Sequence, residues 1–249
     1  MPGRSEPVRI AMWSGPRNIS TAMMRSFENR DDTAVIDEPF YAAYLKETGL
    51  EHPMRDAVLR SQPQDWHAVV EELLGDVPDG RAILYQKHMT HHMLPSFGRA
   101  WLSKCRNAFL IRTPEAVLAS YTEKRADVTL GDIGFVEQCE LFEQEADRLG
   151  HAPPVVEGLD ILRNPHGMLT VLCNALAIPF SEKMLKWPVG RRASDGVWAP
   201  AWYDAVEKST GFARPEERKL PELRDALKSI ADAARPHYER LRAFRLAPV

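Results

Sequence analysis

One short segment constrains the fold of this chain more than any other. Residues 9–13 (Arg9-Ile10-Ala11-Met12-Trp13) form an apolar run of strand length that passes directly into Ser14-Gly15-Pro16-Arg17-Asn18-Ile19-Ser20-Thr21, and helical spacing of apolar residues follows over residues 20–28. A strand, a tight turn and a helix in that order make the layout of a phosphate-binding loop. Glycine permits the turn, free N–H groups at the helix start point at an anion, and the helix dipole favours negative charge there. Arg17 adds a forked cation, and Ser20 and Thr21 add hydroxyl donors. The nucleoside triphosphatase pattern G-x-x-x-x-G-K-[ST] is not met, because Ser20 and Thr21 stand where Gly-Lys is required.

The rest of the chain extends the same architecture. Short apolar runs at residues 34–37, 82–85, 108–111 and 155–156 alternate with helical patterns at 66–74, 113–123, 135–149, 166–176 and about 222–241. This alternation predicts an α/β chain: a three-layer, P-loop-like fold with a mostly parallel central sheet flanked by helices. Residues 186–215 read as irregular, with Trp187, Trp198 and Trp202 set among prolines and glycines. With no repeat, low-complexity tract or linker, one domain over residues 1–249 is expected.

Charge and cysteine usage narrow the partners. Thirty-two Lys and Arg against 35 Asp and Glu leave a net charge of −3, which removes the basic footprint of a nucleic-acid binder but not a local pocket for one small anion. No signal-peptide pattern is present, and no apolar run approaches the roughly 18 residues of a membrane span, so no membrane partner is expected. Cys105, Cys139 and Cys173 form no C-x-x-C pair and read as reduced thiols of a cytoplasmic protein.

A second cluster supports the loop. In Phe109-Leu110-Ile111-Arg112-Thr113-Pro114-Glu115, Arg112 ends a strand and Thr113-Pro114 opens a helix, on which Ser120 lies two turns further along. Both side chains can therefore face one pocket at the carboxyl edge of the sheet. With SGPRNIST, this segment resembles the PAPS-dependent sulfotransferase family, in particular its bacterial branch with a P-R-[SN]-x-S-T loop. The resemblance implies sulfuryl transfer from 3′-phosphoadenosine 5′-phosphosulfate (PAPS) as co-substrate, without metal, to a hydroxyl or amine of a small acceptor. It assigns Arg17, Asn18, Ile19, Ser20 and Thr21 to the 5′-phosphosulfate, and Arg112 and Ser120 to the 3′-phosphate. Arginine replaces the lysine that many members carry in the loop. Residues 158–165 and 172–180 are similar to a structural segment of the family, and Arg191, Arg192, Gly196 and Trp198 to a late loop that closes over adenosine. The likeness runs from residue 8 to about 212.

The general base is open between two segments. Glu38, in Asp37-Glu38-Pro39-Phe40, ends the second strand where the bacterial branch carries an E-P pair, and a strand-end carboxylate beside the loop can reach an attacking O–H. It is the preferred base. The competitor is Lys87-His88-Met89-Thr90-His91-His92, similar to a stretched K-T-H-x-P segment in which lysine stabilises the sulfuryl group and His88, His91 or His92 takes the proton. A zinc reading of these histidines lacks an acidic third ligand at a recognisable spacing. Tyr41, Tyr44 and the stretch 45–66 are expected to line the acceptor pocket. Two other classes remain: a P-loop-type ATP-dependent kinase or ATPase, for which Asp37 and Glu38 would mimic Mg²⁺ ligands, and a nucleotide-binding protein without catalysis.

Overall fold

A computed structural model describes residues 6–125, 127–214 and 222–248. Residue 215 of the expected irregular segment, and residues 1–5, 126, 215–221 and 249 of the expected domain, lie outside the described residues. Five strands, β1 (Val8–Ser14), β2 (Thr33–Asp37), β3 (Ile83–Met89), β4 (Arg106–Ile111) and β5 (Val155–Glu157), form one sheet in the order β2-β3-β1-β4-β5. Every pairing is parallel.

Strand periodicity puts alternate side chains on opposite faces, and both faces of β1 are covered. Ile10 and Met12 pack with Met23 and Phe27 of α1 (Ser20–Glu28), while Ala11 and Trp13 face the other layer. Helices α2 (Tyr41–Thr48), α3 (Arg55–Ser61) and α4 (Trp66–Leu74) fill the crossover from β2 to β3. After β4 come α5 (Pro114–Thr122), α6 (Leu130–Ile133) and α7 (Phe135–Leu149), and after β5 come α8 (Gly158–Arg163) and α9 (Pro165–Ala175). Two single-turn helices, α10 (Ala199–Trp202) and α11 (Asp204–Glu207), interrupt the irregular segment, and α12 (Asp225–Arg242) closes the chain against α7 and α5. α9 packs with α1 on one face and α7 with α12 on the other, which gives three layers.

Two local features differ from the sequence reading. β3 continues four residues past Tyr85, through Gln86, Lys87, His88 and Met89, because Asp37 and Glu38 meet the charge of Lys87 within the sheet edge. The stretch 45–66, expected only as pocket lining, holds the end of α2, all of α3 and the first residue of α4. The three cysteines are buried and free. Among the described residues, no helix is long and apolar enough to cross a membrane.

The position of β1 fixes where a ligand can sit. Its neighbours are β3 on one side and β4 on the other, and its own connection runs toward β2 while that of β4 runs toward β5, so the loops at these two carboxyl ends diverge and open a crevice between them.

Candidate active site

The loop from β1 to α1 forms one wall of that crevice. Gly15 is required at the turn, since a Cβ there would lie 2.5 Å from the carbonyl oxygen of Ile133. Arg17 and Ile19 both adopt left-handed backbone (φ 61° and 57°), which costs a non-glycine residue about 1–2 kcal/mol each. Three hydrogen bonds hold this shape: Arg112 Nη1 donates to the Arg17 carbonyl (2.7 Å), Asn18 Nδ2 to the Leu110 carbonyl (3.2 Å), and Arg17 Nε to Ser120 Oγ (2.9 Å). Ile19 occupies the N-cap of α1 and offers no side-chain acceptor, so the first-turn amides keep their donors for a ligand. Burial pushes both guanidinium groups below their ordinary range, and for Arg112 the charge of Arg17 adds to the effect. Two crowded cations and an uncapped helix start are a site for anions.

The opposite wall carries the carboxylate and the lysine. Glu38 follows β2 in left-handed backbone (φ 42°), held by its N–H to the Lys87 carbonyl (2.9 Å) and by Gln62 Nε2 to its own carbonyl (3.1 Å). Lys87 is 1% exposed and donates to Asp37 Oδ1 (2.8 Å), Glu38 Oε1 (2.6 Å) and the Tyr203 hydroxyl (2.7 Å). Burial opposes its charge, but Asp37 and Glu38 more than offset this and hold the ammonium well above its ordinary value. Burial pushes the Glu38 carboxyl up; Lys87 pulls it back, and Asp37 pushes it up again. The second oxygen of Glu38 lies 4.0 Å from His92 Nδ1. His92 stacks between Tyr41 and Tyr44, and burial with its charged neighbours holds it well below the usual histidine range. His91 falls to about 3, mainly by burial.

These walls enclose a cleft of about 410 Å³. Arg17, Asn18, Ile19, Ser20, Thr21, Glu38, Lys87, His91, His92, Arg112 and Ser120 all line it. Tyr41 also lines it, with its hydroxyl 2.5 Å from His52 Nδ1.

Six residues singled out in the sequence stand outside the lining, Tyr44 among them, as does the stretch 45–66 apart from His52. His88 lies behind β3, stacked on Trp13 (4.3 Å) with Nε2 on Gln86 (3.1 Å), and burial lowers it to about 3. Strand parity explains this, since Lys87 and Met89 face the cleft and Gln86 and His88 face away. Arg191 pairs with Glu207 (3.0 Å), and Arg192 approaches Glu28 (3.9 Å) at the far end of α1. Gly196 donates its N–H to Asp37 Oδ2 (3.1 Å), and buried Trp198 donates Nε1 to the Tyr203 hydroxyl (3.1 Å). The lining also includes His52, from the expected stretch 45–66, and Trp202, together with Tyr121, Leu162, Tyr203, Phe212 and Arg214, which the sequence reading did not assign to the site. Tyr121 was within reach, as the neighbour of Ser120 on an expected helix. Tyr203, Phe212 and Arg214 sit in a segment without periodicity, where Trp202 alone stood out.

Comparison with known proteins agrees with this fold. Two curated proteins of Arabidopsis thaliana are similar to the chain: branched-chain-amino-acid aminotransferase-like protein 2 (36% identical over 208 residues, 84% of this chain) and protein 1 (37% over 213 residues, 86%). The chain spans only 37% and 38% of their lengths. Among solved structures, the sulfotransferase domain from the curacin biosynthetic pathway shares the fold with a TM-score of 0.52 at 16% identity, over 93% of this chain and 98% of that one. A sulfotransferase from Alicyclobacillus acidocaldarius gives 0.53 at 10% identity over 98% of each chain. The sulfotransferase domain family itself matches residues 8–245, a span that holds the anion loop, Arg112, Ser120 and both walls of the cleft, and on that match the chain belongs to the sulfotransferase family.

Proposed function

We propose that the protein transfers a sulfuryl group from PAPS to a hydroxyl or amine of a small acceptor by in-line displacement. The observation that carries this reading is the two-sided cleft: Arg17, Arg112, Ser120 and the open start of α1 on one wall, Glu38 and Lys87 on the other. Two guanidinium groups, a hydroxyl and free amides suit a ligand with two separate anionic groups, as in a nucleotide bearing 3′-phosphate and 5′-phosphosulfate. The donor supplies the reactive group. The residues of the chain bind and orient it, exclude water, and take one proton.

Glu38 is the better base. A general base works best with a pKa near the operating pH, and burial moves Glu38 upward toward that range while it leaves His91 near 3 and His92 well below its usual value. When the acceptor oxygen attacks sulfur and the bond to the leaving phosphate breaks, the acceptor proton goes to Glu38. Arg17 and the loop amides meet the charge that develops on the leaving group. Lys87 keeps the base in place, because all three of its N–H donors are engaged with Asp37, Glu38 and Tyr203.

A kinase reading needs Asp37 as a metal ligand, and its carboxylate already accepts from Lys87, Tyr203 and Gly196. The two plant relatives are named for an aminotransferase likeness, but the chain matches less than two fifths of each, so the name carries no activity to this chain. A cytoplasmic setting belongs to the same proposal and fits three free thiols.

Calorimetry tests the reading. Adenosine 3′,5′-bisphosphate is expected to bind at least tenfold tighter than 5′-AMP, about 1.4 kcal/mol, and tighter than ATP with Mg²⁺. Equal affinities overturn it. Turnover of radiolabelled PAPS against a panel of alcohols and amines then identifies the acceptor and separates an enzyme from a binding protein.

A further inference from the structure

The segment that the family resemblance places over adenosine makes a different set of contacts. Arg25, fully buried on α1, forks onto Asp195 with 2.7 Å on each arm. The next residue, Gly196, donates its N–H to Asp37 Oδ2, and a Cβ on Gly196 would overlap the ring of Trp198. Trp198 then braces the Tyr203 hydroxyl, which donates to the same Asp37 oxygen (2.6 Å) and accepts from Lys87 (2.7 Å). Lys87, Tyr203 and Asp37 thus close a three-membered ring of hydrogen bonds, with Glu38 attached to it through Lys87.

We propose that Tyr203 and Asp37 are positioning residues for the Glu38 base, and that residues 195–203 form a brace tying the donor-binding helix α1 to the Lys87–Glu38 pair. The proposal rests on the reading of Glu38 as base. Its logic is charge counting. A lysine facing Glu38 alone would lock it as a buried ion pair and hold it ionised, a poor proton acceptor. Asp37 supplies the counter-charge for Lys87 first, so Glu38 is left as the surplus carboxylate and keeps its affinity for a proton. Tyr203 takes the third N–H of Lys87 and returns a donor to Asp37, which fixes the ammonium between the two carboxylates. The groups facing Glu38 are Asp37 from β2, Tyr41 from α2, Lys87 from β3, His92 from the turn after β3, and Trp198 and Tyr203 from the brace. Of these, Lys87 is held as the ammonium by the two carboxylates.

The test reads Glu38 directly. Carboxyl-¹³C glutamate is incorporated, the Glu38 resonance is assigned by its loss in Glu38→Gln, and its titration midpoint is followed by NMR without any substrate. In Asp37→Asn, Lys87 has Glu38 as its one carboxylate, and the midpoint is expected to fall by about one unit or more, tenfold in proton affinity. In Tyr203→Phe, the freed Lys87 donor, enclosed within the cluster, turns to Glu38, and the midpoint falls by a smaller step of about twofold in proton affinity. Turnover by Tyr203→Phe is expected to drop tenfold or more, with affinity for adenosine 3′,5′-bisphosphate within twofold of the unmutated chain. A purely structural role would change melting temperature and nucleotide affinity together and leave the midpoint in place. An unchanged midpoint in folded Asp37→Asn overturns the proposal. If that variant does not fold, an unchanged midpoint in Tyr203→Phe does the same. Absence of turnover by the unmutated protein with every acceptor would instead count against sulfuryl transfer and leave the titration result standing.

Discussion

Replacing Lys87 with methionine isolates the energetics of the site from its chemistry. Methionine fills most of the lysine volume, so the main loss is one buried ammonium with three hydrogen bonds. Asp37 and Glu38, 5% and 9% exposed, are then adjacent carboxylates without a cation. Breaking a buried pair by removing one partner costs about 3–5 kcal/mol. For a chain of this size each kcal/mol lowers the melting temperature by about 2–4 °C, so the expected drop is roughly 6–20 °C at pH 7.5. The sign of the pH dependence follows from proton linkage. A carboxyl whose folded pKa lies above its unfolded value binds protons more tightly when folded, so its unfavourable contribution is full at high pH and is relieved as pH falls through the folded value. Burial and Asp37 already push Glu38 in that direction, and removing Lys87 removes the group that pulls it back. The gap in melting temperature between variant and unmutated chain should therefore narrow from pH 7.5 to pH 5.5. Circular dichroism melts at the two pH values measure it. Equal melting temperatures at pH 7.5, or a gap that widens on acidification, would refute the charge assignment.

Three further outcomes concern catalysis and donor binding. Arg17→Ala is expected to lower turnover by about two orders of magnitude or more, from a charge-assisted contact of about 1.5–3 kcal/mol plus a transition-state contact, with partial recovery in Arg17→Lys, as steady-state kinetics would show. Arg112→Ala should abolish the preference for adenosine 3′,5′-bisphosphate over 5′-AMP in calorimetry, and should also weaken 5′-AMP, since Arg112 holds the carbonyl of Arg17. Glu38→Gln should keep nucleotide affinity while kcat falls by roughly 10²–10⁴, the range of general base catalysis, with His91→Ala and His92→Ala each costing less. A loss confined to one histidine variant would transfer the role.

The sheet was readable because its strands are apolar runs between turn residues, and the anion loop because glycine, arginine and hydroxyl residues follow a strand without a spacer. β3 shows the limit. Its second half, Gln86-Lys87-His88-Met89, is strand only because partners remote in sequence, Asp37 and Glu38, neutralise the lysine, and local hydropathy ends the strand at Tyr85. Had the strand been carried to Met89, parity alone would have sent His88 behind the sheet and Lys87 into the cleft. The left-handed backbone at Arg17, Ile19 and Glu38 left no trace in composition, since those residue types disfavour it and tertiary hydrogen bonds impose it. Trp198 and Gly196 drew notice as a motif. The partner of Gly196, Asp37, lies 159 positions before it, a separation no local pattern spans.

The wide spacing of the brace also bears on synthesis of the chain. Tyr203 is separated from Lys87 by 116 positions, and Asp195 from Arg25 by 170. At about 5–20 residues per second, a ribosome adds Tyr203 roughly 6–23 s after Lys87. During that interval β1, β2, β3 and β4 can pair, yet Lys87 lacks its third acceptor and Arg25 its buried counter-ion. Until then Arg25 has Glu28 as its carboxylate partner and Lys87 has Asp37 and Glu38, and each gains its last partner only when the late segment crosses the carboxyl ends of β2 and β3. Chains stalled before residue 195 are expected to be retained by chaperones or degraded, and pulse-chase protease resistance should appear only once residue 203 has cleared the ribosomal tunnel.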